Sequence, residues 1–227
     1  TYTYVPAKGR ERQEAPSPPA IGSTRARVTH WEGYNKYLGI YLSPRGKIGH
    51  EQRRVESKLH KTLNMLEEKN LTMEEAKYII NTVVAGVAQY TMRAVVLPLS
   101  MLRRLHTKIA RVIKLKAHLG ASASNNLLYM GASVMGMGIM NMEKTQAAIA
   151  CVETLARLND ESLVGEVARA RLMALKAQQG VVGCPLDKWS MGEAGEVRMG
   201  TAYFQRLQVV LDREVLEVRA SGEEWHT

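Results

Sequence analysis

The sequence predicts a mainly α-helical protein, in which a helical bundle follows a short N-terminal β-hairpin and an extended N-terminal arm. Two observations predict the helices. Apolar residues recur at spacings of three and four along several long segments of the 227-residue chain. The composition includes 12 Met but a single Phe, so we expect a core of Leu, Val, Ile and Met side chains packed between helices.

Residues 1–24 are predicted to form the extended basic arm. Three prolines between positions 16 and 19 oppose regular structure, whereas the alternation at residues 2–5 predicts a short strand. Such an arm can become ordered against phosphate groups, and a solvated linker is the simpler interpretation. The candidate contacts in and just after the arm are Lys8, Arg10, Arg12, Arg25 and Arg27.

Residues 25–48 are predicted to form the β-hairpin. One strand is expected at 25–31 and the other at 36–42, on either side of a turn at 32–35. Gly39 is placed inside the second strand, where the missing side chain lets another backbone approach closely. Proline and glycine soon after this strand bring it to an end.

Residues 49–120 are predicted to form a helical domain, whose first two helices follow from apolar spacing. The first helix, at 50–69, carries one apolar stripe, formed by Val55, Leu59, Leu63 and Leu66. A capping box of Thr72 and Glu75 begins the second helix, which extends from 73 to about 96. This helix is apolar on nearly every face, so we expect it to be the buried central helix, ended by Pro98.

The third helix of this domain, at 101–119, is strongly basic, with Ser100 as its N-cap and Gly120 as its C-terminal stop. Its cations lie three and four residues apart, so they share a face and repel one another. Phosphate groups of a nucleic acid would supply the missing opposite charge, and a solvated basic face is the alternative. The candidate nucleic-acid contacts on this helix are Arg103, Arg104, Lys108, Arg111, Lys114, Lys116 and His118.

Residues 121–180 are predicted to form a helical extension. A segment rich in Gly and Met, at 131–138, precedes helices at 143–158 and 161–179, and Gly180 ends the second of them. We interpret the methionines of this region as adaptable side chains that fill gaps in a core, with a cofactor or copper site as the alternative. They are Met135, Met137, Met140 and Met142.

Residues 181–227 are predicted to form a linker and a C-terminal helix. Trp189 is expected to anchor the linker, and the helix is expected at 201–219. Its inward-facing residues are predicted to be Leu207, Val210, Leu211, Val215 and Val218.

The charge balance favours a polyanionic partner. The chain contains 31 Lys and Arg residues against 22 Asp and Glu residues, which gives a formal net charge of +9 and a pI of about 9.6. Clustered positive charge binds phosphate groups and releases counterions, so RNA is the expected partner. No stretch of 18 apolar residues lacks charges, so no transmembrane segment is predicted.

The sequence contains no catalytic or metal-binding motif that we could identify. Cys151 and Cys184 lie 33 positions apart outside any Cys-x-x-Cys context, and Cys151 is interpreted as a buried apolar residue. The six histidines form no cluster at ligand spacing, and no P-loop or nucleophile-elbow motif occurs. We therefore expect no metal, no cofactor and no small-molecule substrate.

The order of four motifs resembles the edge of the palm and the thumb of a reverse transcriptase of the non-LTR (LINE-type) retrotransposon group. These motifs are Lys36-Tyr37-Leu38-Gly39-Ile40, Val95-Val96-Leu97-Pro98, the basic helix, and Gly136-Met137-Gly138-Ile139. The resemblance implies a thumb-like helical domain and a hairpin that grips the primer end. It adds Lys36, Tyr37 and Gly39 to the candidate nucleic-acid contacts, and it places the basic helix along the groove of the template–primer duplex.

The carboxylates of a reverse transcriptase are missing from this sequence. Such enzymes hold two metal ions with palm aspartates, whereas this chain has no Asp-Asp pair and its first aspartate is Asp160. The chain begins with Thr1, so we interpret it as a processed or truncated product. As given, it is not expected to polymerise DNA.

Three functional interpretations remain open. The preferred one is a non-catalytic RNA-binding or scaffold subunit of a large ribonucleoprotein, with a mitochondrial ribosome as the leading host and a nuclear particle as an alternative. Its partners would be RNA, most simply ribosomal RNA, and neighbouring protein subunits. The second interpretation is a fragment of an active retrotransposon reverse transcriptase. The third is a protein-interaction subunit whose basic face meets acidic subunits or lipid headgroups.

Overall fold

The structure is a computed structural model, and it describes residues 2–4, 20–21, 24–25, 28–30, 33–43, 46–180, 184–186 and 202–213. The chain divides into two compact units, Thr1–Arg53 and Arg54–Thr227. The described residues are mainly helical and include a short antiparallel hairpin near the N-terminus. The predicted fold class is confirmed at this level. The finer division into five segments stays a prediction.

The described residues near the N-terminus of the first unit form four short strands. Strand β1, Tyr2–Tyr4, pairs in parallel with β4, Val28–His30, and β2, Ala20–Ile21, pairs antiparallel with β3, Thr24–Arg25. The strand predicted at residues 2–5 is confirmed. The expectation that residues 25–31 pair with the next strand along the chain is wrong, because β4 pairs with β1.

The hairpin of the first unit, at residues 35–42, covers the segment 36–42 that was predicted to be one strand. Strands β5, Asn35–Tyr37, and β6, Ile40–Leu42, pair antiparallel around the two-residue turn Leu38-Gly39. Both turn residues have positive φ, 46° and 84°, as a type I′ turn requires. A Cβ at Gly39 would meet no atom within 4 Å, so this glycine serves the turn and not a close backbone approach.

Helix α1, Gly49–Glu68, confirms the first predicted helix, and all four residues of its apolar stripe are buried. Helix α2, Met73–Ile79, begins at the predicted capping box. The Glu75 N–H donates to Thr72 Oγ1 at 3.3 Å, and the Thr72 N–H donates to Glu75 Oε2 at 2.8 Å. These reciprocal bonds satisfy two backbone donors that the helix start would otherwise leave without partners.

The helix that begins at α2 is neither as long nor as uniformly buried as predicted. It continues through a π-helical turn, Ile80–Val84, into α3, Ala85–Met92. Val83 is 48% exposed, so the expectation of burial on nearly every face is wrong. The chain leaves the helix after Met92 and is extended before Pro98, because Leu97 finds hydrogen-bond partners elsewhere in the fold.

Those partners belong to the side-chain amide of Gln146, which is fully buried. Gln146 Oε1 accepts from the Leu97 N–H at 2.8 Å, and Gln146 Nε2 donates to the Leu97 carbonyl at 2.9 Å. Asn81, in the π-helical turn, holds a second non-helical segment in the same way. Its amide donates to the Gly138 carbonyl at 2.9 Å and accepts from the Met140 N–H at 3.0 Å. Two side-chain amides therefore replace backbone partners for chain outside the helices.

Helix α4, Leu99–Lys116, begins and ends at residues other than the predicted ones. Pro98 is the N-cap, because its fixed φ of −62° suits the helix entry and its carbonyl accepts from the Met101 N–H; Ser100 lies inside the helix. At the other end His118 has a φ of 52°, and the Leu119 N–H donates to the Lys114 carbonyl at 2.9 Å. This Schellman motif ends the helix three residues before the predicted end and makes Gly120 unnecessary as a stop.

The region after α4 contains a short helix α5, Asn126–Tyr129, and a 3₁₀ turn, Ala132–Val134. A Cβ at Gly136 would collide with the Met130 backbone, so this glycine permits a close approach of two chain segments. Met142 is buried, whereas Met135 is 89% exposed at a φ of 59°. The interpretation of the methionines as core side chains is therefore wrong for Met135.

The described residues of the second unit form three further helices: α6, Met142–Leu158, α7, Leu163–Gln179, and α8, Ala202–Arg213. Asn141 and Ser162 cap the first two, and Gly180 ends α7 at a φ of 65°, as predicted. The apolar side of α8 is buried against α6 and α7 through Phe204, Leu207 and Leu211. Trp189, Val215 and Val218 lie outside the described residues.

Among the described residues, no helix combines the length and the apolar character needed to cross a membrane.

Candidate nucleic-acid interface

The basic side of α4 lies next to acidic residues of α1. Arg104 Nη2 lies 2.7 Å from Glu56 Oε1, and Arg111 Nη2 lies 2.7 Å from Glu67 Oε1. Lys108 also forms an ion pair with Glu67. Contact of these three cations with phosphate groups stays a prediction, but phosphate is not needed to balance their charge. Carboxylates of the same chain already pair with all three.

Glu67 is the centre of this arrangement, with 17% of its side chain exposed. The hydrogen bond from the Lys108 ammonium lowers the pKa of Glu67, so the carboxylate stays charged to a lower pH than an ordinary glutamate does. The Lys116 ammonium donates to the backbone carbonyls of Glu67, at 3.0 Å, and Lys69, at 2.6 Å. Lys116 thus neutralises the C-terminal end of α1, where unpaired carbonyls concentrate negative charge.

A second line of α4 residues faces outward, and we call it the outer row. Its members lie four, four, three and four positions apart: Arg103, Thr107, Arg111, Lys114 and His118. Arg103 is exposed and pairs with no carboxylate of the described residues, and the Arg111 side chain is 71% exposed despite its contact with Glu67. The Lys114 ammonium donates to the Ala121 carbonyl at 2.9 Å, and His118 is exposed at the Schellman turn. Most of the outer row is therefore exposed, and Arg104, beside it on α4, is also 53% exposed.

The hairpin of the first unit presents the second group of predicted contacts. Lys36 is exposed, and Tyr37 and Leu38 are 66% and 72% exposed at the turn. The base of the hairpin is held by Glu51, whose carboxylate accepts from the Tyr41 N–H at 3.0 Å, and by His50, which packs against Tyr41 with ring centroids 4.5 Å apart. A fixed base thus carries an exposed tip.

The tip residue Leu38 is unfavourable for the fold in two ways. A branched apolar side chain at a φ of 46° adopts a conformation that L-residues rarely take, and its exposure provides no compensating burial. Asn or Gly is the usual choice at this turn position. A residue that costs stability at an exposed turn is a candidate for contact with a partner.

The arm contributes nothing that can be described as a site. Lys8, Arg10, Arg12 and Arg27 lie outside the described residues. Arg25 lies within them as part of β3, where its backbone pairs with Ala20.

A buried polar group between α4, α6 and α8 was missed by sequence reasoning. His106 Nε2 accepts from the Met142 N–H at 3.0 Å, and His106 Nδ1 lies 3.6 Å from Glu143 Oε1. Glu143 also pairs with Arg213. Burial lowers the pKa of His106, against the opposing effect of Glu143, and burial raises the pKa of Tyr129, which stacks on the histidine, to about 12. These contacts join α4, α6 and α8.

The acidic partners on α1 were also missed, although the sequence contains a signal for them. Glu56 and Glu67 lie 11 positions apart, which is three helical turns, so they share one side of α1. That side could have been matched to the basic side of α4. Only the tertiary structure shows that the two helices pack in the register that joins them.

The described residues contain no group of three or more His, Cys, Asp or Glu side chains that could share a metal ion. Burial raises the pKa of Cys151, so this thiol is a poor nucleophile. Comparison with models of protein families, with curated protein sequences and with solved structures finds no match to this chain.

Proposed function

We propose that this chain binds RNA and serves as a non-catalytic scaffold subunit of a large ribonucleoprotein, with a mitochondrial ribosome as the leading host. The outer row of α4 carries the proposal. Helix α4 contains six Lys and Arg residues and no acidic residue, and internal carboxylates pair with Arg104, Lys108 and Arg111. In the outer row, Arg103 is exposed, Arg111 stays 71% exposed beside Glu67, and Lys114 is half-buried.

The dimensions of the outer row suit a phosphate backbone. Arg103 and Lys114 are 11 residues apart, which corresponds to about 16 Å along the helix axis. A polyanion on this row would exchange condensed counterions for Arg103, Arg111 and Lys114, and this exchange drives salt-dependent binding. The pairs with Glu56 and Glu67 hold the neighbouring cations in place, so the partner meets a rigid surface.

The exposed hairpin tip supports the same proposal from the other unit. Lys36 supplies a cation, Tyr37 a ring on which a base can stack, and Leu38 an apolar side chain whose conformation costs stability. The resemblance to non-LTR reverse transcriptases implies that this motif grips the end of a nucleic-acid strand. We propose the tip and the outer row as two contact surfaces for RNA.

Salt-dependent binding tests the outer row. Binding of a single-stranded RNA 12-mer by the full chain is measured by fluorescence anisotropy between low and physiological salt. Replacing Arg103 and Lys114 by Gln should remove two phosphate contacts and reduce the slope of log K against log salt by about 1.4. The matched control replaces Lys144 and Arg171, exposed cations of α6 and α7, by Gln, and its slope should not change. Failure to bind RNA at low salt, or equal changes in both variants, contradicts the proposal.

A single substitution tests the hairpin tip. Leu38→Asn introduces the residue that a type I′ turn prefers and should stabilise the protein by about 0.5–1 kcal/mol. The same variant should bind the RNA 12-mer more weakly, because the apolar contact is lost. Thermal unfolding and anisotropy measure the two effects on one sample. A more stable variant with unchanged affinity shows that the tip makes no contact with RNA.

A fragment of an active reverse transcriptase is the second candidate, favoured by the order of the hairpin, the Leu97-Pro98 exit and the Gly136 to Ile139 motif. In that case the outer row binds a template–primer duplex, and carboxylates from a preceding segment hold the metal ions. The full transcript discriminates between the candidates. Palm aspartates upstream, with primer extension by the full-length product, support the enzyme. A reading frame without them supports the scaffold.

A further inference from the structure

We infer that a cleft at the C-terminal end of α4 is a subsite for one unpaired nucleotide, with the base on an apolar floor and the phosphate at the cations of the outer row. The inference rests on the proposed function, because it specifies which part of an RNA the outer row takes. The cleft has a volume of about 370 Å³, within the range of sites for small ligands. Its main lining residues are Ala110, Arg111, Lys114, Leu115, Leu119 and Asn125.

The wall of the cleft is fixed by the way α4 ends. The left-handed conformation of His118 reverses the chain, and the Leu119 N–H then donates to the Lys114 carbonyl. The Lys114 ammonium reaches across to the Ala121 carbonyl at 2.9 Å. The segment after the helix is thereby held against the last turns of α4, and the space between them is a preformed cleft.

The floor of the cleft is apolar although basic residues surround it. Leu115 is 51% exposed and lies between Lys114 and Lys116 in the sequence. Ala110 and Leu119 extend this apolar surface. A free phosphate ion would use only the cations, whereas a nucleotide would cover the floor with its base and place its phosphate at Arg111 and Lys114. An apolar floor beside two cations therefore favours a nucleotide over a free phosphate ion.

Asn125 supplies the polar group that a base edge requires. Its side chain is exposed and makes no hydrogen bond within the described part of the chain. An amide offers one acceptor and two donors, so it can pair with the Watson–Crick edge of a base that is not paired to another strand. Stacked bases inside a duplex cannot enter the cleft. An unpaired nucleotide can.

The helix end itself opposes an anion, because the C-terminal carbonyls of an α-helix carry partial negative charge. Two bonds reduce this effect: the Lys114 and Leu115 carbonyls accept from the Leu119 and His118 N–H groups. The Glu67 carboxylate is shared between Arg111 and Lys108, so it cancels only one of their two charges. The remaining charge and that of Lys114 exceed the half charge of the helix end, and the net charge at the rim of the cleft is positive.

Adenosine 5′-monophosphate and inorganic phosphate are the probes for this cleft. Each is titrated into the full chain and followed by NMR. We expect the nucleotide to bind more tightly than phosphate, because only the nucleotide covers the apolar floor. Leu115→Gln should weaken nucleotide binding by about fivefold and leave phosphate binding unchanged. The matched control is Leu155→Gln on α6, a leucine that is 42% exposed and lines no part of the cleft.

The outcomes separate this inference from the proposed function. Equal affinities for nucleotide and phosphate, or equal effects of Leu115→Gln and Leu155→Gln, overturn the cleft as a nucleotide subsite. If the RNA 12-mer still binds with its normal salt slope, the proposed function stands without the cleft. If the 12-mer fails to bind at low salt, both are overturned. Asn125→Ala is the second variant, and it should reduce nucleotide binding without changing phosphate binding.

Discussion

Helices α1 and α4 are joined differently from helices α6, α7 and α8 of the same unit. The first pair combines a buried apolar stripe with ion pairs at its rim, centred on Glu67. The second group combines a buried apolar cluster with neutral amides, among them Gln208, which is 3% exposed and donates to the Pro185 carbonyl. Ion pairs stay at the rim in the first region, whereas the second region buries neutral amides together with the Glu143 carboxylate that pairs with Arg213.

This difference predicts where a mutation acts. A surface ion pair contributes at most about 1 kcal/mol, so a change at the rim of α1 and α4 should alter binding more than stability. A buried amide that loses its partners costs more, so changes around α6 should alter stability first. Four experiments test this division, from the largest expected effect to the smallest.

Gly165→Ala should cause the largest loss. Gly165 is buried in the first turn of α7, and a Cβ there would collide with the backbone carbonyl of Asp160. Because backbone atoms cannot move aside as a side chain can, we expect destabilisation by about 4 kcal/mol in chemical denaturation. The control is Gly86→Ala in α3, where a Cβ meets no atom within 4 Å and should stabilise the helix by about 1 kcal/mol. Equal effects of the two substitutions on stability would contradict the close approach of Gly165 to the Asp160 carbonyl.

Gln146→Met should destabilise the protein by about 3 kcal/mol, because the Leu97 N–H and carbonyl would both lose their buried partner. The ionised side chain of Gln146→Glu keeps an acceptor for the Leu97 N–H but has no donor for the Leu97 carbonyl. Its buried carboxyl should have a raised pKa, since only the protonated form can donate to the Leu97 carbonyl. The stability of this variant should therefore be greatest at low pH and fall as the pH rises. Urea unfolding at several pH values measures both variants, and a pH-independent deficit for Gln146→Glu would contradict the pairing.

Acid should weaken the His106 contact. Burial lowers the folded-state pKa of His106 below 6.5, with Arg213 acting in the same direction and Glu143 against it. The unfolded state then binds more protons, so stability is complete above about pH 6.5 and falls as the pH decreases towards the folded-state pKa. For one proton the slope is at most about 1.4 kcal/mol per pH unit. Thermal unfolding should show a steeper fall of stability with decreasing pH in wild type than in His106→Gln, because the carboxylates with lowered pKa values are present in both. Identical pH profiles would exclude His106 as its source.

Glu67→Gln should have the smallest effect on stability and should increase the affinity for RNA. Removing this carboxylate frees Lys108 and Arg111, so RNA affinity at low salt should rise by about threefold while stability falls by at most about 1 kcal/mol. Glu153→Gln on α6 changes the net charge equally and is the control. Anisotropy at low salt compares the two. An equal rise in both variants would mean that net charge, and not the α4 surface, determines affinity.

Local rules in the sequence account for much of the helical fold. The stripe on α1, the capping box of Thr72 and Glu75, and the left-handed Gly180 each depend on residues within a few positions of one another. The hairpin turn was missed for a local reason as well. Tyr37, Ile40 and Tyr41 favour a strand, and Leu38 is an unusual first residue for a type I′ turn.

The remaining features depend on partners distant in the sequence. The chain is extended at Leu97 because Gln146, 49 positions later, binds both of its backbone groups. Arg104 and Lys108 of α4 are neutralised by Glu56 and Glu67, which lie more than 40 positions earlier in the sequence. The exposed outer row could be predicted from α4 alone, whereas the cleft could not, because it requires the chain reversal at His118.

The π-helical turn determines which residues of its helix lie on the buried side. The buried positions of this helix include Ala76, Ile80, Val84, Ala88 and Met92, a strict repeat of four. In a regular α-helix each step of four residues rotates about 40° beyond a full turn, so the series would spiral away from the core. The wider turn, with bonds between residues five apart, takes back part of that rotation. Because of this one wider turn, residues four positions apart stay on the same side of the helix, whereas in a regular α-helix they would not.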